Sequence, residues 1–290
     1  MNGIILAGGR GTRLGPSTSS TNKHLLPIYD KPMIYYPLTT LILAGAKNIQ
    51  ILSTSEAIPA FRKLLGDGSQ WGVRIGYSVQ DEPSGIAEAL SIVLADIILE
   101  QSALVILGDN IFYGQGLGRQ ISEVSDFSTC HIWTQKVRNP ESFGVAEYSK
   151  DGNLLAIREK PVEYIGDSAV TGLYIFPKNI YSHVDGLVKS GRNEFEITQV
   201  LNKYIDLGQM STHMLSRGVY WTDAGTIENL SEATSFVRAV QLRQGVLIGS
   251  PDEAAYQVGN VTKEGLMSLI EAMPESDYKL SLQRILNDLI

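Results

Sequence analysis

The sequence predicts an α/β protein: a mixed, mostly parallel sheet flanked by helices, followed by a C-terminal helical extension. Three observations lead there. Over the first two thirds, apolar runs of four to seven residues alternate with segments of helical period, the pattern of a parallel sheet covered by helices. From Cys130 the chain turns strand-rich, with turn signals between the runs, and after Thr226 it reads helical.

In order along the chain, strands are expected over residues 3–7, 48–53, 73–79 and 103–107. A helix over 33–44 stops at Gly45, a natural C-terminal cap. Its Pro37 lies near enough to the first turn to be tolerated, with a kink allowed. A second helix over 86–97 places Ile86, Ala87, Leu90, Val93, Leu94 and Ile97 on one face, and Ser84 stands where its N-cap belongs. Further strands follow over 130–136, 144–148, 154–159 and 169–176, with the turn Lys150-Asp151-Gly152-Asn153 between the middle pair. An apolar, aromatic strand leads into Asp223. The tail carries Leu282, Ile285, Leu286 and Leu289 at helical spacing, which reads as core packing or a subunit contact. With no repeat, low-complexity tract or Pro/Ser-rich linker, one α/β domain with an extension is expected instead of two independent domains.

The composition is that of an ordinary globular protein: 290 residues, 43% apolar, with 24 Lys and Arg against 31 Asp and Glu for a net charge of −7. A chain of this length buries a large core without staples. The acidic balance disfavours nucleic acid as a partner while leaving room for a small anion in a local basic pocket. Cys130 is the sole cysteine, which excludes an intrachain disulfide and a Cys-based metal cluster. The four histidines, His24, His131, His183 and His213, show no zinc-ligand spacing. Residues 2–7 are too short for a signal peptide's apolar core, and no run approaches the ~18 apolar residues of a membrane span. The expectation is a cytoplasmic protein with no membrane partner.

Chemistry concentrates where apolar strands end. The first runs into Leu6-Ala7-Gly8-Gly9-Arg10-Gly11-Thr12-Arg13-Leu14. Three glycines in four positions let backbone N–H groups approach an anion, and Arg13 adds a fork of donors. Taken alone, the loop reads equally as an ordinary Gly-rich turn. It lacks the Gly-Lys-Ser/Thr of a P-loop, and Leu14 stands where a dinucleotide fingerprint needs its third glycine. Lys23, ten residues after Arg13, either folds back to the same anion or is a solvated surface lysine. Gln80 follows the third strand, at the edge where open α/β sheets bind ligands, and its amide matches the edge of a pyrimidine; a plain loop residue is the alternative. Asp109 in Leu107-Gly108-Asp109-Asn110 and Asp223 in Trp221-Thr222-Asp223-Ala224-Gly225 could together hold Mg²⁺, or each could be a turn or helix cap. Phe143-Gly144 and Arg158-Glu159-Lys160-Pro161 offer a sugar-handling surface, or a surface ion pair.

Taken in order, these segments are specific. The Gly-rich loop with Arg13, Lys23-His24-Leu25-Leu26-Pro27, the stretch from Asp30 to Leu38, Gln80 to Leu90, Gly108-Asp109-Asn110, Phe143 to Glu147, Glu159-Lys160-Pro161 and Trp221 to Thr226 together resemble the sugar-1-phosphate nucleotidylyltransferases over residues 1–260. The resemblance implies a Rossmann-like nucleotidyltransferase fold, with a catalytic domain over 1–240 and a helical extension over 241–290. It implies Mg²⁺ as cofactor, dTTP and α-D-glucose 1-phosphate as substrates, dTDP-glucose and pyrophosphate as products, and a homotetramer. By the family's motif positions, Arg13 and Lys23 would bind the triphosphate. Leu6, Gly8, Gly9, Gly11 and Thr12 would line the nucleotide side, and Gln80 and Gly85 would recognise thymine. Asp109 and Asp223 would hold the metal. Gly144, Glu159, Lys160 and Val170 would bind the sugar phosphate, and Arg192 would reach the phosphates.

Three positions depart from the family pattern: His24 where glutamine is common, Phe143 where tyrosine is common, and Gln199 where aspartate is expected. Phe143 loses a hydroxyl contact to the sugar, and His24 would make a phosphate contact pH-dependent. A UTP-dependent or other-sugar pyrophosphorylase is the nearest rival. A glycosyltransferase would show Asp-x-Asp, whereas Asp109 is followed by Asn110 and Ile111. A nucleotide-sensing subunit would have lost Arg13, Lys23 or an aspartate, and all are present.

Overall fold

The computed structural model describes residues 1–82, 84–97, 102–184 and 186–288; Pro83 and Leu289, both part of the motifs above, lie outside them. The first half runs β1 (Asn2–Leu6), β2 (Pro27–Ile28), β3 (Lys31–Pro32), α1 (Tyr35–Leu43), β4 (Asn48–Ser53), α2 (Ile58–Leu65), β5 (Arg74–Val79), α3 (Ile86–Asp96) and β6 (Ser102–Leu107), the expected alternation with the short strands β2 and β3 added to it. Then come β7 (Asn110–Tyr113), α4 (Leu117–Ser122), β8 (Cys130–Lys136), β9 (Gly144–Tyr148), β10 (Leu154–Glu159), β11 (Ser168–Pro177), α5 (Tyr181–Val184), α6 (Ile197–Asp206), β12 (Met210–Met214) and β13 (Tyr220–Asp223). The chain closes with α7 (Ile227–Gln244), α8 (Pro251–Gln257), α9 (Lys263–Ala272) and α10 (Asp277–Asp288).

Among the described residues the central sheet has nine strands, and its main path runs β10-β9-β11-β6-β1-β4-β5. β1, β4, β5 and β6 are parallel, which buries Ile4, Ile5, Ile51, Leu52, Val105 and Ile106 completely. Such strands read as unbroken apolar runs because both faces are covered. β11 pairs antiparallel with β6, β8 and β9, so the sheet is mixed. Its register on β8 shifts between Val170 and Tyr174. Off the sheet, β13 pairs with β7 in a short ribbon that carries Asp223 beside Asn110.

Two helix boundaries differ from expectation. α1 starts at Tyr35 because the N–H groups of Met33 and Ile34 donate to the carbonyls of Leu26 and His24 instead of entering a helix. The N-cap of α3 is Gly85, not Ser84. The Ser84 carbonyl accepts from Phe195 N–H at 2.7 Å, and Ala87 N–H donates to the Phe195 carbonyl at 3.1 Å. That strand-like contact presses on Gly85, where a Cβ would come within 2.4 Å of the Phe195 oxygen. Only glycine fits there, with φ at +119°.

The extension packs on the core. Trp71 Nε1 donates to Asp252 of α8 at 3.1 Å, and Tyr278 of α10 donates to the same carboxylate at 2.6 Å. Leu247, Leu266, Ile270, Leu282 and Leu286 form a small apolar cluster of their own. No helix among the described residues is long and apolar enough to cross a membrane.

Candidate active site

β1, β5 and β6 end on one edge of the sheet, the edge where α/β proteins place ligands. A cleft of about 310 Å³ opens there. Leu6, Gly8, Gly9, Arg13, Lys23, Gln80, Gly85, Asp109, Gly144, Glu159, Lys160, Val170, Arg192 and Asp223 all line it. Gly11 and Thr12 are not among the lining residues. Gly11 instead backs Lys23: at φ +66° a Cβ would lie 2.9 Å from the Lys23 Cβ.

The centre of the cleft is cationic and anionic side by side. Lys23 sits in a 3₁₀ turn (Lys23–Leu25) capped by the Asn22 side chain, which accepts from His24 N–H at 2.9 Å. Its Nζ reaches Asp109 Oδ2 at 2.5 Å, with both side chains nearly buried. Burial opposes ionisation of Asp109, yet the Lys23 charge and the hydrogen bonds from Lys23 and Asn110 outweigh it and hold the carboxyl well below the usual range. Asn110 ties three elements together: its Nδ2 donates to Asp109 Oδ1 at 3.0 Å, while its Oδ1 accepts from Trp221 Nε1 at 2.7 Å and Gly172 N–H at 3.3 Å.

Asp223 arrives at the end of β13. Burial and then the Asp109 charge raise its pKa, while Asn229 of α7, donating to Oδ1 at 2.7 Å, and Arg13 pull it down. Gly225 leaves room for both side chains, since a Cβ there would lie 3.0 Å from Asp223 Oδ2 and 3.1 Å from Arg13 Nη2. Two mutually repelling carboxylates, with no third His, Cys, Asp or Glu grouped with them among the described residues, suit a hard cation that completes its shell from phosphates and water.

On the opposite walls, Gln80 is buried at the end of β5 and its Nε2 donates to Glu88 Oε2 at 2.8 Å. Glu159 is raised by burial and by Glu196, against the pull of Arg192 and Lys160. Lys160 follows at φ +43°, a left-handed conformation rare outside glycine, held by its N–H to the Phe143 carbonyl at 2.9 Å. Arg192 forks onto Glu196 at 2.9 and 3.0 Å and touches Glu159 and Glu194 at 3.2 Å. Three carboxylates thus share the guanidinium in this conformation.

The departures resolve differently. His24 is buried, and burial followed by the Lys23 charge lowers its pKa to about 3. It is neutral at ordinary pH, so the pH-dependent phosphate contact expected of it does not arise. Phe143 packs on Trp221 with ring centroids 5.2 Å apart. Gln199 donates to the Val188 carbonyl at 2.8 Å at the surface. The sequence reasoning missed Glu88, Asn229, Glu196 and Asn22, whose roles are to hold other side chains. A Glu or Asn in the first turn of a helix looks like ordinary helix chemistry, so no sequence signal marked the first two.

A mixed sheet with a Gly-rich loop, two facing aspartates and Lys and Arg at its strand ends defines a phosphate-handling α/β transferase. The nucleotidyl transferase family model matches residues 2–240. The chain belongs to that family. A glucose-1-phosphate thymidylyltransferase of Mycobacterium tuberculosis is 44% identical over 278 residues, 96% of each chain. The enzyme of that name from Neisseria meningitidis is 41% identical over 99% of each. A Bacillus anthracis crystal structure, solved with a sucrose, superposes with TM-score 0.75 at 38% identity, covering 82% of this chain and 95% of that one. A UDP-glucose pyrophosphorylase solved with UDP-glucose shares the fold at TM-score 0.72 and 20% identity, covering 82% and 98%.

Proposed function

We propose that the chain transfers a thymidylyl group from dTTP to α-D-glucose 1-phosphate, releasing pyrophosphate and forming dTDP-glucose. The observation that carries this is the meeting of Arg13, Lys23, Asp109, Lys160 and Asp223 in one cleft although the sequence spreads them over 211 positions, from 13 to 223. The names of the relatives, 38–44% identical over nearly the whole chain, support it.

The reaction needs no protein nucleophile, because the sugar phosphate oxygen is already an anion. Two obstacles remain: repulsion between that oxygen and the α-phosphate, and charge growing on the departing pyrophosphate. Arg13 and Lys23 lie beside the Gly-rich loop, where they neutralise the triphosphate. Lys160 and Arg192 lie on the sugar side, where they hold the attacking phosphate in line. Glu159 and the bare backbone of Gly144 receive sugar hydroxyls, and Gln80 with Gly85 reads the base. Asp109 and Asp223 are the residues that would hold Mg²⁺, which supplies charge neutralisation between the phosphates when bound. Residues 1–240 are read as the catalytic domain and 241–290 as its packing extension. The assembly is read as a homotetramer, testable by light scattering, and the protein as cytoplasmic.

Pyrophosphate release measured with each nucleoside triphosphate against a panel of sugar 1-phosphates tests the reading. Highest kcat/KM for dTTP with glucose 1-phosphate is expected. A preference for UTP would move the protein to the rival branch, since the imide edge that Gln80 meets is the same in uracil and thymine. No release with any pair would end the proposal.

A further inference from the structure

Gln80 is an amide, so the order in which it shows donor and acceptor to the cleft depends on which way it is turned. Here that order is set from outside the cleft. Nε2 donates to Glu88 Oε2 at 2.8 Å, and a carboxylate only accepts. The oxygen is therefore turned the other way, toward Gly8, where a Cβ would lie 2.9 Å from Oε1. Both ends of the contact are anchored. The Gln80 backbone N–H donates to the Ser53 carbonyl at 2.9 Å, extending the β5–β4 ladder. Glu88 sits in the first turn of α3, whose start is pinned where Phe195 crosses Gly85.

We infer that Glu88 is a positioning residue that selects the nucleobase by locking the Gln80 amide; the inference rests on the nucleotide reading above. With Nε2 held, the cleft sees the Gln80 oxygen as acceptor and its second N–H as donor, in fixed order. Thymine and uracil present an N3–H donor beside a carbonyl acceptor and match that order. Cytosine presents a ring-nitrogen acceptor beside an amino donor, so it needs the amide inverted. Inversion would set the Gln80 oxygen against the Glu88 carboxylate, two acceptors face to face. Leaving such buried polar groups unpaired is worth on the order of 10- to 100-fold in affinity. Glutamate at this position is what removes the choice: a glutamine there could accept from Gln80 or donate to it, and both amide orientations would be satisfied.

The test is equilibrium binding of dTTP and dCTP to the full chain by calorimetry, without sugar phosphate. The wild type is expected to favour dTTP by roughly 10- to 100-fold. In Glu88→Gln that ratio is expected to fall about tenfold, chiefly through tighter dCTP binding. Glu88→Ala, which removes the anchor altogether, should lower it as well. A merely structural role would weaken both nucleotides alike and leave the ratio in place. The inference is overturned if both variants keep the wild-type ratio within about twofold, or if the wild type does not discriminate. Because binding is read apart from turnover, selective binding without pyrophosphate release would sink only the proposed activity. Thymidylyl transfer with an unmoved ratio would sink only the role of Glu88.

Discussion

At the scale of single residues, the Lys23–Asp109 pair decides most about the cleft. Neither charge is well hydrated, and each is tolerable only because the other is 2.5 Å away. Replacing one therefore does two things. Asp109→Asn is expected to cut pyrophosphate release by a factor of ~10³ or more and, by leaving Lys23 buried without its counterion, to cost about 3 kcal/mol in urea denaturation. Undiminished turnover in that variant would remove Asp109 from the mechanism. Lys160 behaves differently, since no carboxylate holds it in an ion pair of 4.0 Å or less among the described residues. Lys160→Ala is expected to raise KM for glucose 1-phosphate by ~10- to 100-fold while leaving dTTP binding and stability near wild type; weakened dTTP binding instead would place Lys160 on the wrong substrate. Residues that could face phosphates were legible in the sequence through the order of their segments, since each segment alone also reads as an ordinary turn, cap or surface residue. Residues that hold those side chains were not: Glu88 lies only eight residues from Gln80 and Asn229 six from Asp223, but a Glu or Asn in a helix's first turn looks like ordinary helix chemistry.

At the scale of elements, the site depends on how α3 begins. Its N-cap is Gly85 and its first turn carries Glu88, and the strand-like contact with Phe195 brings the Glu194–Glu196 segment, and with it Arg192, against the helix start. The walls proposed to hold the base and the sugar are thereby joined through one glycine. Gly85→Ala would force a Cβ to 2.4 Å from the Phe195 oxygen at a φ of +119°. The expected cost is about 2–4 kcal/mol, with dTTP and glucose 1-phosphate binding both impaired. Calorimetry with each ligand in turn checks this, and loss of the nucleotide alone would show that the two walls are independent. The parallel strands were readable because burial on both faces leaves unbroken apolar runs. β12 was missed for the opposite reason: at the sheet edge, Met-Ser-Thr-His-Met buries none of its side chains fully, Thr212 and Met214 are exposed, and no apolar run marks it. The N-cap of α3 was misplaced on Ser84 because capping preference is local, whereas the crossing of Phe195 comes from 110 residues downstream.

At the scale of the whole molecule, the C-terminal extension seats α8 against α1 and the turn that carries Trp71, and polar groups hold that seat. Ser250 caps α8 by accepting from Glu253 N–H at 3.2 Å, and Asp252 takes hydrogen bonds from Trp71 and Tyr278. Such a seat was invisible to periodicity, which showed a helical tail and the spacing of its last helix without showing what it docks on. It also leaves Glu253 half-buried beside Gln257, whose Nε2 donates to it at 2.8 Å. Burial raises its pKa from 4.5 to about 7, against the pull of Gln257 and Lys31. Because the folded-state value exceeds the unfolded one, the contribution to stability is full below pH 4.5, shrinks as pH rises, and is lost once pH passes 7. Glu253→Gln keeps the shape and removes the titration. Its unfolding free energy in urea titrations should therefore match wild type near pH 4.5 and exceed it at pH 8, by about 1–3 kcal/mol after allowing for residual solvation. If the two proteins lose stability in parallel between those pH values, Glu253 ionises freely and the extension's seat is wetter than its packing indicates.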